Sequence, residues 1–113
     1  MRIYLGPYPE GDGEREETVE IHHYDHWNLS RDIAVILIPM LENFRENTSG
    51  CPGSIHENNP ENGFEVWKSY LTAMISAFQI ITTINDFERT KQQERIVQDG
   101  LNLFARYFEH LWD

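Results

Sequence analysis

The stretch GFEVWKSYLTAMISAFQIITT, residues 63–83, decides the fold because its apolar side chains recur every three or four positions. That spacing is typical of an amphipathic α-helix. The apolar face consists of Trp67, Tyr70, Leu71, Met74, Ile75, Phe78 and Ile81. Asn62 is the expected N-cap, and Glu65 follows three positions later, as in a capping box. We therefore predict a long helix over residues 63–83, with a face that other elements must cover.

Two further helices are predicted, one on each side of this stretch. Residues 30–47 are apolar around most of the helix in their first half, which indicates burial on several sides. Ser30 is the expected N-cap, and Pro39 should kink the helix. Residues 86–112 form the third helix, polar at its start and apolar later. Gly100 costs this helix about 1 kcal/mol relative to alanine, so we expect another element, with a bulky side chain, to approach it closely.

The first 24 residues are typical of a β-hairpin. Apolar and polar residues alternate in RIYL (2–5) and in TVEIHHY (18–24), and the intervening GPYPEGDG (6–13) is rich in glycine and proline. Residues 48–62 are predicted to be a polar loop. The predicted fold class is α+β, mostly α. It is a three-helix core with a short N-terminal β-hairpin packed at one end, in a single domain over residues 1–113.

The charge of the chain restricts its partners. Its net charge is −10, from 19 acidic and 9 basic residues. Such a field repels phosphate backbones and anionic membranes, so neither nucleic acid nor a membrane is expected as a partner. The single cysteine, Cys51, cannot form an internal disulfide, which suits a reducing cytoplasm. No secretory signal is recognised, and no glycine-rich phosphate loop predicts a nucleotide cofactor. No cofactor is expected.

The acidic residues concentrate near the N-terminus. Residues 1–32 hold eight acidic residues against three arginines. This surface could attract a basic protein surface, including one that normally binds nucleic acid, or it could simply be a solvated face. The candidate acidic binding residues are Glu14, Glu16, Glu17 and Glu20. Tyrosine and tryptophan anchor many interfaces, and the candidate aromatic binding residues are Tyr8, Tyr107 and Trp112.

The stretch IHHYDHWNLSRD, residues 21–32, allows a metal site or a structural corner. Imidazole and carboxylate groups are zinc ligands, and the candidate ligands are His22, Asp25 and His26. On an extended strand, however, His22 and His23 point to opposite faces. The structural alternative assigns the junction between strand and helix to Asp25, Trp27 and Ser30. In that alternative Asp25 accepts backbone N–H bonds and fixes the turn, while Trp27 covers the start of the helix.

No catalytic residue is predicted. Cys51 lies in a Gly/Pro-rich loop, and His56 follows five positions later. A thiol nucleophile also needs an oriented base and an oxyanion hole, and the sequence marks neither. We therefore expect a protein that is not an enzyme.

Four blocks of the chain resemble an uncharacterised family of tailed-bacteriophage proteins. They are YDHWNLSRDIAVILIPMLENF (24–44), GCP (50–52), WKSYLTAMISAF (67–78) and QERIVQDGLNLFARYFEHLWD (93–113). The closing block matches the family pattern GLxLFxxYFxxLWD most specifically. Two departures are Ser30-Arg31, where the family has Asp-His, and Ser49, where it has histidine. The resemblance implies a phage accessory protein and no particular mechanism.

These observations favour a small acidic phage protein that acts by protein–protein binding in the host cytoplasm. Its partner would be a host or phage protein. The oligomeric state is not predicted, and a homodimer is one of the alternatives. One version is an anti-defence inhibitor that occupies a basic, nucleic-acid-binding surface of a host protein. Two alternatives remain. One is a metal- or small-ligand-binding protein that uses the His22, Asp25 and His26 corner. The other is a virion or assembly component that docks through its C-terminal helix.

Overall fold

The computed structural model describes residues 1–113 and contains four α-helices and one two-stranded antiparallel sheet. The elements are β1 (Arg2–Leu5), β2 (Glu17–Glu20), α1 (Leu29–Asn47), α2 (Gly53–Asn58), α3 (Gly63–Thr83) and α4 (Lys91–Tyr107). The chain is therefore mostly helical with a small β part, as the sequence predicted.

Helix α3 is the centre of the fold, and both α1 and α4 pack against it. It spans the predicted residues 63–83 and supplies most of the fully buried side chains, including Trp67, Leu71 and Met74. The Trp67 ring lies 6.3 Å from the ring of Phe44 on α1 and 5.5 Å from that of Tyr107 on α4, both edge-on. One side chain thus joins all three long helices.

Helices α3 and α4 approach most closely at Gly100. A Cβ atom at this position would lie 2.3 Å from the Cβ of Ala77 and 2.6 Å from the carbonyl oxygen of Ala73. The close approach that Gly100 predicts is confirmed, but the neighbour is not bulky. Two alanines, one helical turn apart, face the glycine, and the small side chains on both helices allow the backbones to meet.

The third predicted helix is shorter than residues 86–112. Helix α4 begins at Lys91 and ends at Tyr107, and 3₁₀ turns flank it at Asp86–Glu88 and Phe108–His110. A capping box fixes its start. The Thr90 hydroxyl accepts the Gln93 backbone N–H at 3.1 Å, and the Gln93 side chain accepts the Thr90 N–H at 2.9 Å.

Helix α1 begins at Leu29, so the prediction of Ser30 as its N-cap is wrong. Asn28 is the N-cap residue, with φ −140°, ψ 54° and no side-chain capping hydrogen bond. Ser30 lies within the first turn. The helix continues through Pro39.

The predicted loop at residues 48–62 contains the short helix α2. Its one buried apolar side chain, Ile55, is 3% exposed and belongs to the hydrophobic core, and α2 packs against α3. Six residues are too few to show a helical period, so the sequence did not reveal this element.

The hairpin forms with Ile3 opposite Val19 and Leu5 opposite Glu17. It covers little of the helical core, because Ile3 is 41% and Val19 62% exposed. Its second strand ends at Glu20, since His23–His26 folds into a 3₁₀ turn instead of continuing the strand. The hairpin therefore presents apolar side chains to solvent rather than burying them.

Candidate functional site

Asp25 holds the junction between the hairpin and α1. Its carboxylate oxygen Oδ2 accepts the His22 backbone N–H at 2.7 Å and lies 2.9 Å from the Met1 ammonium nitrogen. The His22 N–H, and after it the Met1 ammonium, lower the pKa of Asp25, against a smaller opposing effect of burial. The carboxylate is the acceptor that an aspartate at such a turn is expected to be.

The histidines of this corner turn away from a common centre. The Nδ1 atom of His26 is paired with the carbonyl oxygen of His23, and the His22 ring stacks 5.4 Å from the ring of Tyr24. No group of three or more His, Cys, Asp or Glu side chains is arranged to hold a metal ion. The structure therefore does not bring His22, Asp25 and His26 together as ligands. The argument that strand alternation separates His22 from His23 also fails, because neither residue lies on a strand.

The sequence predicted that Trp27 covers the start of α1, and this prediction is wrong. Its side chain is 77% exposed. Only the neighbouring aromatic rings of the turn lie near it, with Tyr24 at 6.1 Å and His26 at 6.3 Å. Trp27 is thus a surface side chain, and Asp25 alone has the predicted corner role.

The three candidate aromatic residues divide between core and surface. Tyr107 is only 6% exposed, packs on Trp67 and stacks 5.7 Å from Tyr70, so its assignment as a binding residue is wrong. Tyr8 and Trp112 are well exposed. The Arg15 guanidinium lies 4.4 Å above the centre of the Tyr8 ring. This cation–π contact fixes Tyr8 in place on the hairpin loop.

Two exposed aromatic residues escaped the sequence prediction. Phe87 is 81% and Phe108 is 58% exposed. Phe87 is the one apolar residue in the polar segment NDFERT, and that isolation was a usable signal. Phe108 gave no such signal, because its spacing from Phe104 matches the buried face of a helix.

We give the name acidic hairpin surface to the four candidate glutamates of the hairpin, Glu14, Glu16, Glu17 and Glu20, of which Glu17 and Glu20 lie on opposite faces of β2. All four are exposed. Neither ion pair of the chain involves them, since these join Met1 to Asp25 and Arg89 to Glu94. None of the four therefore forms an ion pair, although Arg2 lies opposite Glu20 in the sheet and Arg15 lies between Glu14 and Glu16. The exposed side chains of Ile3 and Val19 lie on the same hairpin.

Cys51 and His56 do not form a nucleophile–base pair. Both line a shallow pocket of about 490 Å³, but no hydrogen bond joins them. The half-buried thiol instead lies against α3, where its Sγ would be 3.3 Å from a Cβ built on Gly63. The arrangement gives the thiol no base to activate it.

A second surface, which we call the α1–α4 groove, was not predicted. It is a largely apolar groove of about 560 Å³, lined by residues of α1, α4 and the C-terminal turn and by Arg15 of the hairpin loop. Its apolar lining consists of Leu37, Met40, Leu41, Phe44, Phe104, Phe108 and Leu111. No local sequence pattern indicates this groove, because it exists only when α1 and α4 both pack on α3 and leave one side between them open.

Asp113 also lines this groove. The Asp113 carboxylate accepts hydrogen bonds from the Ser49 backbone N–H at 3.0 Å and from the Thr48 hydroxyl at 3.1 Å. The bond from the Ser49 N–H is the main cause of the lowered pKa of Asp113. These bonds fix the C-terminal turn to the end of α1.

Comparison with protein-family models, with curated proteins and with solved structures found no match. The resemblance to tailed-phage proteins therefore stays a prediction. None of the helices combines the length and the apolar character needed to cross a membrane.

Proposed function

We propose that this chain is a small phage accessory protein without enzymatic activity that acts by binding a basic protein surface. The observation that carries the proposal is the acidic hairpin surface, whose four glutamates are exposed and form no ion pair in the chain. An acidic surface of this kind steers basic partners toward it and accelerates their association.

The hairpin also offers the apolar contact that a stable complex needs. Ile3 and Val19 form a cross-strand pair and are 41% and 62% exposed. Apolar burial supplies affinity, and the surrounding charges supply orientation and selectivity. A partner surface that normally binds nucleic acid has the complementary positive charge. The proposed action is therefore competition with nucleic acid on a host protein, in the host cytoplasm. The four phage-like sequence blocks support the viral assignment.

Affinity capture from host lysate tests this proposal with two triple variants of equal charge. The first reverses Glu14, Glu16 and Glu17 to lysine on the hairpin. The second reverses Glu57, Glu61 and Glu65, which are equally exposed but lie on and near α2 and at the start of α3. Both change the net charge by the same amount, so any difference between them reports the location of the charge.

We expect wild type and the second variant to retain the same basic protein, and the hairpin variant to lose it. A nucleic acid added in excess should release the captured protein if the two compete. If both variants retain the basic protein equally, or both lose it equally, the acidic hairpin surface is not the binding site.

A further inference from the structure

The chain exposes more surface than a folded monomer of its size. Its accessible surface is 8381 Å². A monomer of 13.4 kDa is expected to expose about 6,500 Å², so the excess is about 1,900 Å². The radius of gyration of 16.4 Å likewise exceeds the value of about 13 Å expected for a domain of this length. The molecule is a slab of 50 × 47 × 18 Å.

Part of this excess is apolar and lies on α1. Leu29, Ile33 and Met40 are 45–47% exposed. With the half-buried Leu37 and Phe44 they recur every three or four residues, which places all five on one face of the helix. This face carries no charge. It is distinct from the side on which Ala34 and Leu41 are buried.

The same face continues across the α1–α4 groove to α4. There the groove is lined by Phe104, Phe108 and Leu111, of which Phe108 is 58% exposed. Helices α1 and α4 flank α3 and leave an apolar groove between them. The three helices thus correspond to a four-helix bundle in which one helix is missing. A fourth helix would cover the exposed side chains of both walls.

We propose that a second copy of this chain covers this surface, with the apolar face of its α1 lying in the α1–α4 groove. A two-fold dimer brings the same patch of both copies together, so the patch must be self-complementary. The uncharged face of α1 meets that requirement, because apolar side chains pack against identical ones. On the rest of the surface, the net charge of −10 makes the two copies repel each other.

A standard interface buries about 800 Å² on each partner. The excess surface of the monomer is more than twice that value, and the uncovered hairpin contributes part of it together with α1 and the groove. This inference does not depend on the proposed function, since it uses the apolar side chains of α1, α4 and the C-terminal turn and none of the four hairpin glutamates, although Arg15 between Glu14 and Glu16 also lines the groove.

Sedimentation equilibrium over a dilution series tests the proposal. Wild type should sediment at twice the 13.4 kDa of one chain. Met40→Lys should raise the dimer dissociation constant by about a hundredfold, because a two-fold interface then carries two uncompensated charges. Phe87→Lys is the control, since Phe87 is exposed outside the groove. Added salt should not dissociate the dimer, because it screens the repulsion between the two acidic copies.

Circular dichroism and thermal unfolding show whether each lysine variant is folded. If Met40→Lys is not folded, Ile33→Lys on the same face of α1 replaces it. A wild-type mass of one chain at every concentration would overturn the proposal. So would a folded groove variant that dimerises like wild type, or a Phe87→Lys variant that dissociates as much as Met40→Lys.

Discussion

Trp67 links the three long helices, because its buried ring contacts an aromatic ring on each of the other two. Replacing it with alanine removes these contacts and leaves a cavity at the centre of the fold. We expect Trp67→Ala to lower the free energy of unfolding by about 3–5 kcal/mol, measured by urea denaturation. Trp112→Ala, at a tryptophan that is 73% exposed, should change it by less than about 0.5 kcal/mol. Similar losses for both variants would contradict this role of Trp67.

Gly100 should resist a substitution that normally stabilises a helix. Alanine is favoured over glycine by about 1 kcal/mol in a helix interior, but its Cβ would lie 2.3 Å from that of Ala77. The helices must then move apart, so we expect Gly100→Ala to lower the unfolding free energy by about 1–3 kcal/mol. Gly53→Ala, at a position with no atom within 4 Å of the added Cβ, is the matched control. A gain of stability in Gly100→Ala would show that the interhelical contact is looser than described.

Asp25 and Asp113 make the free energy of unfolding depend on pH. Hydrogen bonds in the folded state lower the pKa of each carboxyl below its unfolded value. Each therefore stabilises the fold above the unfolded pKa of about 4, and that contribution is lost as the pH falls through the lower folded pKa. We expect the double variant Asp25→Asn/Asp113→Asn to be less stable at neutral pH and to lose less stability than wild type below about pH 4.

Denaturation curves at a series of pH values measure this difference. Asp99→Asn is the control, because Asp99 is exposed and its carboxylate makes no hydrogen bond or ion pair. Parallel acid dependence in the double variant and in wild type would mean that neither carboxylate contributes.

At the scale of the elements, capping sets where α4 begins. The reciprocal bonds between Thr90 and Gln93 satisfy backbone N–H groups that the first turn would otherwise leave unpaired. We expect Thr90→Ala to lower the unfolding free energy by about 1 kcal/mol. Thr83→Ala is the comparison, because its hydroxyl only donates to the Gln79 carbonyl within α3, and it should cost less. An equal effect of the two substitutions would argue against the capping box.

The helices differ in how well the sequence predicted them. Helix α3 was predictable because its apolar period runs unbroken through 21 residues. The start of α4 was not, since the segment before Thr90 also contains capping residue types, and only the backbone geometry distinguishes them. Helix α2 depends on one buried side chain, Ile55, and on its contact with α3. A tertiary contact of this kind has no local signature.

At the scale of the whole molecule, the two candidate surfaces differ in how far they can be predicted from the sequence. The acidic hairpin surface follows from local composition, because charged residues on a short hairpin remain exposed. The burial of Tyr107 and the exposure of Phe108 do not follow from local composition. They are adjacent in the sequence, yet the first is 6% and the second 58% exposed. Which of them reaches the core depends on the rotation of α4 against α3.

The slab presents surfaces of two chemical kinds. The hairpin is acidic and offers binding that depends on salt, while the α1–α4 groove is apolar and offers binding that does not. The substituted residues of the two surfaces differ, and the surfaces meet at Arg15, which lies between Glu14 and Glu16 and also lines the groove. The two proposals together describe a chain that uses the groove to form a dimer and presents two acidic hairpins to its target.

The most direct test of the central claim is the salt dependence of binding to the captured partner, measured by titration with both triple glutamate variants. The account predicts that wild-type affinity falls steadily with added salt. It also predicts that reversal of Glu57, Glu61 and Glu65 leaves most of the affinity, and that reversal of Glu14, Glu16 and Glu17 removes it. An affinity that is insensitive to salt and equal in the two variants would contradict binding through the acidic hairpin surface.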